Sequence, residues 1–232
     1  MVALANKVTL VTGASRGIGK EFCRQLKAKN NVVIAGCRDP DMMAPGLFDD
    51  VYQLDVASQQ SIDAFAEAVA SKYPHLDVVI NNAGVYGERV GFGEMTAETM
   101  LHVFNVNAVG PLMVTKALMK KNVLGGKAGT TLVHITSKMG SVDDNGSGGS
   151  YAYRASKSAL NIISKSLSID LAPSNVNSTL LHPGWVITDM VNNQGLITTE
   201  QSVSGMLNVL ESKGDSELRG GWHAFDGKVI PW

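Results

Sequence analysis

Six short runs of apolar and β-branched residues punctuate the chain: "KVTLVTG" (7–13), "NVVIAGCR" (31–38), "VYQLDV" (51–56), "LDVVINNAG" (76–84), "GTTLVHITS" (129–137) and "VNSTLLHPG" (176–184). They are apolar through their length rather than alternating, the pattern of strands in a sheet buried on both faces. Between them lie longer stretches with a helical period. Phe22 and Leu26 share one face of "GIGKEFCRQLKAKN" at i, i+4, and Ile62, Phe65, Ala66 and Val69 form one stripe in "SIDAFAEAVASKY". A helical region over 96–121, a long helix in "YAYRASKSALNIISKSLSIDLA" and a last helix near 200–211 continue the alternation. The ending "GWHAFDGKVIPW" reads as a final strand with a turn. Helices between buried strands make parallel crossovers, so the expected fold is α/β: a doubly wound, Rossmann-like parallel sheet with helices on both faces.

The 232 residues contain no internal repeat and no interdomain linker, and are expected to form a single domain over 1–232. "DDNGSGGS" (143–150) is too short for a tether and reads as a loop within that domain. A net charge of -1 and the lack of Lys/Arg-rich runs argue against a nucleic-acid or anionic-membrane partner. The N-terminal "MVALANKVTLVTG" has neither a spanning apolar stretch nor a leader pattern, which suggests a cytoplasmic protein. Cys23 and Cys37, the only cysteines, read as reduced thiols, and the five scattered histidines suggest no metal site.

"TGASRGIG" (12–19) follows the first strand and opens the first helix. Gly13, Gly17 and Gly19 permit a tight turn whose N–H groups face a pyrophosphate, in the spacing G-x-x-x-G-x-G. Dinucleotide folds select the ribose at the end of the second strand, where an acidic residue accepts from the 2′-OH of NAD. Here Cys37 and Arg38 occupy that place, and Arg16 lies in the glycine turn. Two guanidinium groups suit a 2′-phosphate, so NADP(H) is favoured over NAD(H). Asp39, beside Pro40, reads as a turn residue.

Taken in order, "TGASRGIG", "LDV" (54–56), "NNAG" (81–84), "NVNAVGP" (105–111), "ITSKMGS" (135–141), "YRASK" (153–157) and "HPGWVITDM" (182–190) make the chain resemble the short-chain dehydrogenase/reductases over its full length. Its ending is most similar to the carbonyl-reductase and C-factor-like branch. The resemblance implies a cofactor cradle of Gly13, Ser15, Arg16, Gly17, Ile18 and Gly19, with Arg38 at the ribose and Asp55 and Val56 near the adenine. It sets Asn82, Ala83 and Gly84 beside the cofactor, and Pro183, Val186 and Thr188 around the nicotinamide and its amide. His134 stands where the family often has asparagine and reads as a hydrogen-bonded strand histidine. The segment between Ser137 and Tyr153 exceeds the family pattern slightly and is expected to be mobile until ligand binds.

A carbonyl that accepts hydride becomes an alkoxide and needs a proton. Free tyrosine, with a pKa near ~10, ionises poorly at neutral pH, but a nearby positive charge favours tyrosinate. Lys157 lies four residues beyond Tyr153 and shares its helical face, whereas Tyr151 has Ala155 at that position. Tyr153 is therefore the expected acid, its pKa lowered by Lys157, which also reaches a ribose hydroxyl. Ser137 suits a donor to the developing oxyanion. Asn107 matches the family's fourth catalytic residue, implied to hold a water that relays protons to Lys157. The expected activity is NADP(H)-dependent interconversion of a carbonyl and an alcohol. Alternatives are the same chemistry with NAD(H), or a non-catalytic dinucleotide-binding regulatory or signalling protein. Expected partners are a small carbonyl or alcohol substrate and, as the family often shows, further copies in a dimer or tetramer.

Overall fold

The computed structural model describes residues 2–232. Strands β1 (Val8–Thr12), β2 (Val32–Cys37), β3 (Asp50–Gln53), β4 (Val78–Asn81), β5 (Thr130–Ile135), β6 (Val176–His182) and β7 (Trp222–Ala224) form a 7-stranded sheet in the order β3-β2-β1-β4-β5-β6-β7. Every neighbouring pair is parallel, with Thr9 opposite Val33 on one side and Val78 on the other. The apolar runs follow from coverage of both faces. Val11, Val33 and Ile80 turn toward α1 (Gly17–Ala28) and α6 (Thr199–Ser212), where Phe22, Leu26, Val203, Met206 and Leu210 meet them. Leu10, Ile34, Val79 and Leu132 face the other way, onto α2 (Gln59–Lys72) and α4 (Gly110–Lys120), through Ile62, Phe65, Val69, Val114 and Leu118. Each such side chain contributes about 1.5–3 kcal/mol by leaving water.

Residues 96–121 do not form one helix. α3 (Ala97–Phe104) passes through a π-helical turn, Asn105–Val109, before α4 begins. Pro111 has no N–H to give an uninterrupted α ladder, and the wider turn accommodates it. The turn buries Val106, Asn107 and Ala108. Helix α5 (Tyr151–Asp170) follows the polar loop, and a short α7 (Asp215–Leu218) precedes β7. The final strand with its turn takes the expected form: β7 closes on an antiparallel bridge between His223 and Val229. Cys23 and Cys37 are free thiols, both buried. Among the described residues, no helix is long and apolar enough to cross a membrane.

The loop 143–150 makes hydrogen bonds to α5 and to the chain end. Arg154 donates through Nε to the Gly148 carbonyl, through Nη2 to Ser147 Oγ and through Nη1 to the Met139 carbonyl. Asp143 N donates to the Trp232 carbonyl, tying the loop to the chain end. Arg154, the second residue of "YRASK", thus links the loop to the start of α5.

Candidate active site

From β1 the chain steps outward to β2 and β3, then returns to lay β4 on β1's other side. Beyond the carboxyl ends of β1 and β4, where this order reverses, a parallel sheet leaves a crevice. A cleft of about 610 Å³ opens there, within the range of small-molecule sites. Apart from Asn107, every site residue anticipated above lines it, from Gly13 through Arg38, Asp55 and Gly84 to Ser137, Tyr153, Lys157, Pro183, Val186 and Thr188.

One end is the glycine turn. Gly13 has φ +65°, and a Cβ on Gly19 would stand 2.2 Å from the Gly13 carbonyl oxygen and 2.5 Å from Asn82 Nδ2, so neither place admits a side chain. Asn82 Nδ2 donates to the Thr12 and Gly13 carbonyls at 3.0 and 3.1 Å, which makes "NNAG" a brace for the turn as well as a cleft wall. Helix α1 starts at Arg16 without a side-chain cap and with no acid in its first turn, leaving its N–H groups open to an anion. Arg38 is exposed at the end of β2. Asp39 Oδ1 accepts from Asp41 N at 3.2 Å, the turn role read from its neighbours. Across the cleft, Asp189 lies 3.9 Å from Arg16, both side chains largely exposed, and Thr188 packs beside Gly17.

The other end is the phenol. Tyr153 and Lys157 project from one face of α5, with Nζ 5.7 Å from the Tyr153 ring centroid. Lys157 is buried and donates to the Ile135 carbonyl at 2.9 Å, an acceptor presented by β5 where it ends beside the site. Ser137 follows on the same strand end, caps the turn Lys138–Gly140 by accepting from Met139 N, and lines the cleft together with the Tyr153 phenol. The expected lowering of the phenol is absent. Burial pushes Tyr153 up to about 12, against the opposing Ser137 hydrogen bond and with Tyr86 adding to the rise. Burial also brings Lys157 down to about 8. Shared helical spacing fixed their adjacency, but desolvation decides the direction of both shifts.

Asn107 is fully buried behind the wall. Its Oδ1 accepts from Val85 N and its Nδ2 donates to the Val85 carbonyl, both at 2.8 Å, and to Ser156 Oγ at 3.0 Å. A Cβ on Gly84 would lie 3.2 Å from Asn107 Oδ1 and 3.7 Å from Lys157 Nζ, so the two residues back onto the same stretch of chain. His134 is less satisfied than its sequence suggested: Nδ1 meets Asn81 Nδ2 at 3.3 Å, while buried Nε2 has no protein partner. Burial and the Lys157 charge bring that imidazole down to about 3.

Two residues went unnoticed in the sequence. The Tyr86 ring stacks on Tyr153, centroids 4.7 Å apart at 25°, and its hydroxyl pairs with Ser150 Oγ at 2.7 Å. Arg89 lies over the Tyr86 ring, its guanidinium carbon 4.4 Å from the centroid. Both sit in an aperiodic stretch, and the only available signal was an aromatic followed three residues later by arginine, just past "NNAG".

A family model for the short chain dehydrogenases matches residues 7–196. The chain is similar to C-signal of Myxococcus xanthus, 42% identical over 157 residues that span 68% of this chain and 93% of that protein. It is also similar to the 1-hydroxy-2-glutathionyl-2-methyl-3-butene dehydrogenase of a Rhodococcus species, 34% identical over 230 residues, 96% of this chain and 98% of that one. Among solved structures, NADPH-bound carbonyl reductase from chicken fatty liver matches with a TM-score of 0.86 and 29% identity, over 98% of this chain and 100% of that chain.

Proposed function

The chain belongs to the short-chain dehydrogenase/reductase family of oxidoreductases, and on that premise we propose that it interconverts an aldehyde or ketone with its alcohol, using NADP(H) and Tyr153 as general acid and base. The observation that carries this reading is the meeting of the half-buried Tyr153 phenol, the Ser137 hydroxyl and the Lys157 amine at one end of a cleft whose other end is the glycine turn.

The chain's own residues suit a dinucleotide. The uncapped start of α1 and the side-chain-free approach at Gly13 and Gly19 fit a pyrophosphate, held with Ser15, Gly17 and Ile18. Arg16 and Arg38 would take the 2′-phosphate, Asp55 and Val56 the adenine, and Pro183, Val186 and Thr188 the nicotinamide with its amide. Support for NADP(H) comes from the exposed Arg38, the turn bond that occupies Asp39 and the NADPH bound by the chicken carbonyl reductase. When bound, the nicotinamide supplies or accepts the hydride.

Ser137 would orient the substrate oxygen and donate to it as charge develops. Held near 12, the Tyr153 phenol keeps its proton at neutral pH and is ready to give it to an alkoxide. Lys157, charged below about 8, stabilises the tyrosinate left behind. Asn107 holds the wall of the site through Val85 and Ser156.

A coenzyme-linked absorbance screen against aldehydes, ketones, quinones, steroids and sugars tests the function. The expected result is turnover with NADPH preferred by about tenfold or more in kcat/KM, a preference that Arg38→Ala erodes. A preference untouched by that substitution contradicts the role given to Arg38. Similarity to C-signal favours one other reading, a dinucleotide-binding signalling protein. Tight NADPH binding with no turnover of any carbonyl would select it.

A further inference from the structure

We propose that Arg89 is an anion-binding, specificity-determining residue, and that the preferred substrates are carbonyl compounds whose apolar or aromatic body ends in a carboxylate. The proposal rests on the reading above for one point only, that the reacting carbonyl sits at Tyr153.

Beyond Tyr153 the cleft continues along Tyr86, Arg89, Met139, Trp185 and Met190. Its rim is apolar and exposed: Trp185 is 54% accessible and Met190 42%. Apolar surface left standing around a concave site marks what the site is built to cover. Into this wall the chain sets one guanidinium. Arg89 stacks on the Tyr86 ring, and Tyr86 in turn stacks on Tyr153. Two ring contacts, of 4.4 and 4.7 Å, thus link the cation to the Tyr153 ring and keep it within the length of a substrate built on one aromatic ring or a short chain.

Arg89 also has binding capacity to spare. Guanidinium carries five N–H donors. One nitrogen, Nη2, donates to the Met190 carbonyl at 3.0 Å, and the contact with Tyr86 uses a ring face. Among the described residues, no carboxylate pairs with it. The neighbouring acids are engaged elsewhere: Glu88 accepts from Thr99 Oγ1, Glu94 from Gly91 N, and Asp189 faces Arg16. Lys138, another cation lining the cleft, is paired with Asp144 at 2.9 Å. An arginine held by stacking and a carbonyl, with free N–H groups at the mouth of an apolar cleft, matches a planar carboxylate.

The test compares 4-carboxybenzaldehyde and 3-(4-formylphenyl)propanoate with their methyl esters, using NADPH and the wild type, Arg89→Met and Arg89→Lys chains. The wild type is expected to prefer an acid to its ester. Arg89→Met should lower kcat/KM for that acid by about ten- to a hundredfold while changing the ester by less than about threefold. Arg89→Lys should fall between, keeping the charge and losing the fork. Equal losses on acid and ester, or a wild type without acid preference, overturn the proposal.

Binding of 4-(hydroxymethyl)benzoate and its methyl ester to the NADPH complex, followed by Trp fluorescence, reads the same contact without turnover. Acid binding that disappears in Arg89→Met upholds the subsite even if no aldehyde is reduced, in which case the chemistry alone has failed. Acid binding unchanged in Arg89→Met overturns the subsite while leaving the chemistry intact.

Discussion

Replacing Lys157 by Met separates what this residue costs the fold from what it does for the site. Burial lowers the amine from 10.5 to about 8, so keeping it charged at pH 7 costs the folded chain about 3 kcal/mol, at 1.36 kcal/mol per unit. Methionine removes that cost and keeps the unbranched stem. It also strands the Ile135 carbonyl, which accepts from Nζ at 2.9 Å, a loss of about 1–3 kcal/mol. The variant should therefore be more stable than wild type by about 0–2 kcal/mol at pH 7. Between pH 8 and 10.5 the unfolded lysine holds its proton and the folded one does not, so wild-type stability rises with pH across that window. Near pH 10, where the unfolded lysine still keeps most of its proton, the advantage should shrink away or reverse, leaving the variant less stable by about 0–2 kcal/mol. Urea unfolding of both chains without coenzyme, at pH 7 and pH 10, measures each difference. In the same variant, carbonyl reduction should fall by about a hundredfold or more. A variant destabilised by more than about 2 kcal/mol at pH 7, or a difference indifferent to pH, would refute this reasoning.

Asn107→Leu leaves the Val85 N–H and carbonyl and the Ser156 hydroxyl without their buried partner. It should lower the urea-unfolding free energy by about 2–6 kcal/mol, at about 1–3 kcal/mol for each of the two stranded Val85 groups, since Ser156 keeps its bond to the Tyr153 carbonyl. His134 is brought down from 6.5 to about 3 by burial. Its stabilising contribution is therefore complete above pH 6.5 and lost as pH falls toward 3, where the unfolded chain takes the proton first. His134→Asn should flatten the fall in urea midpoint between pH 6.5 and 4, and an unchanged slope would assign the acid sensitivity to other groups.

Most of the fold was legible because burial on both faces writes itself into residue type. Val11 and Leu10 point to opposite sides of β1 and are both apolar, which only a covered sheet explains. The stripes of α1 and α2 packed as their spacing required. The π-helical turn was not legible, since Val106 and Ala108 keep an apolar pattern that a continuous helix would also show. At the site, motif order anticipated which residues gather at the cleft, because each motif ends a strand or opens a helix on the same edge of the sheet. Burial depth was not anticipated, and it reversed the expected shift of Tyr153. Tyr86 and Arg89 escaped because a loop has no period, and their contact with Tyr153 depends on where the chain runs after β4.

Single-turnover hydride transfer from NADPH already bound to the protein, compared between wild type and Tyr153→Phe on a carbonyl the wild type reduces, tests the central claim most directly. With proton donation assigned to this phenol, transfer should collapse in the variant while NADPH affinity stays within about a few-fold. Transfer at the wild-type rate would contradict the assignment.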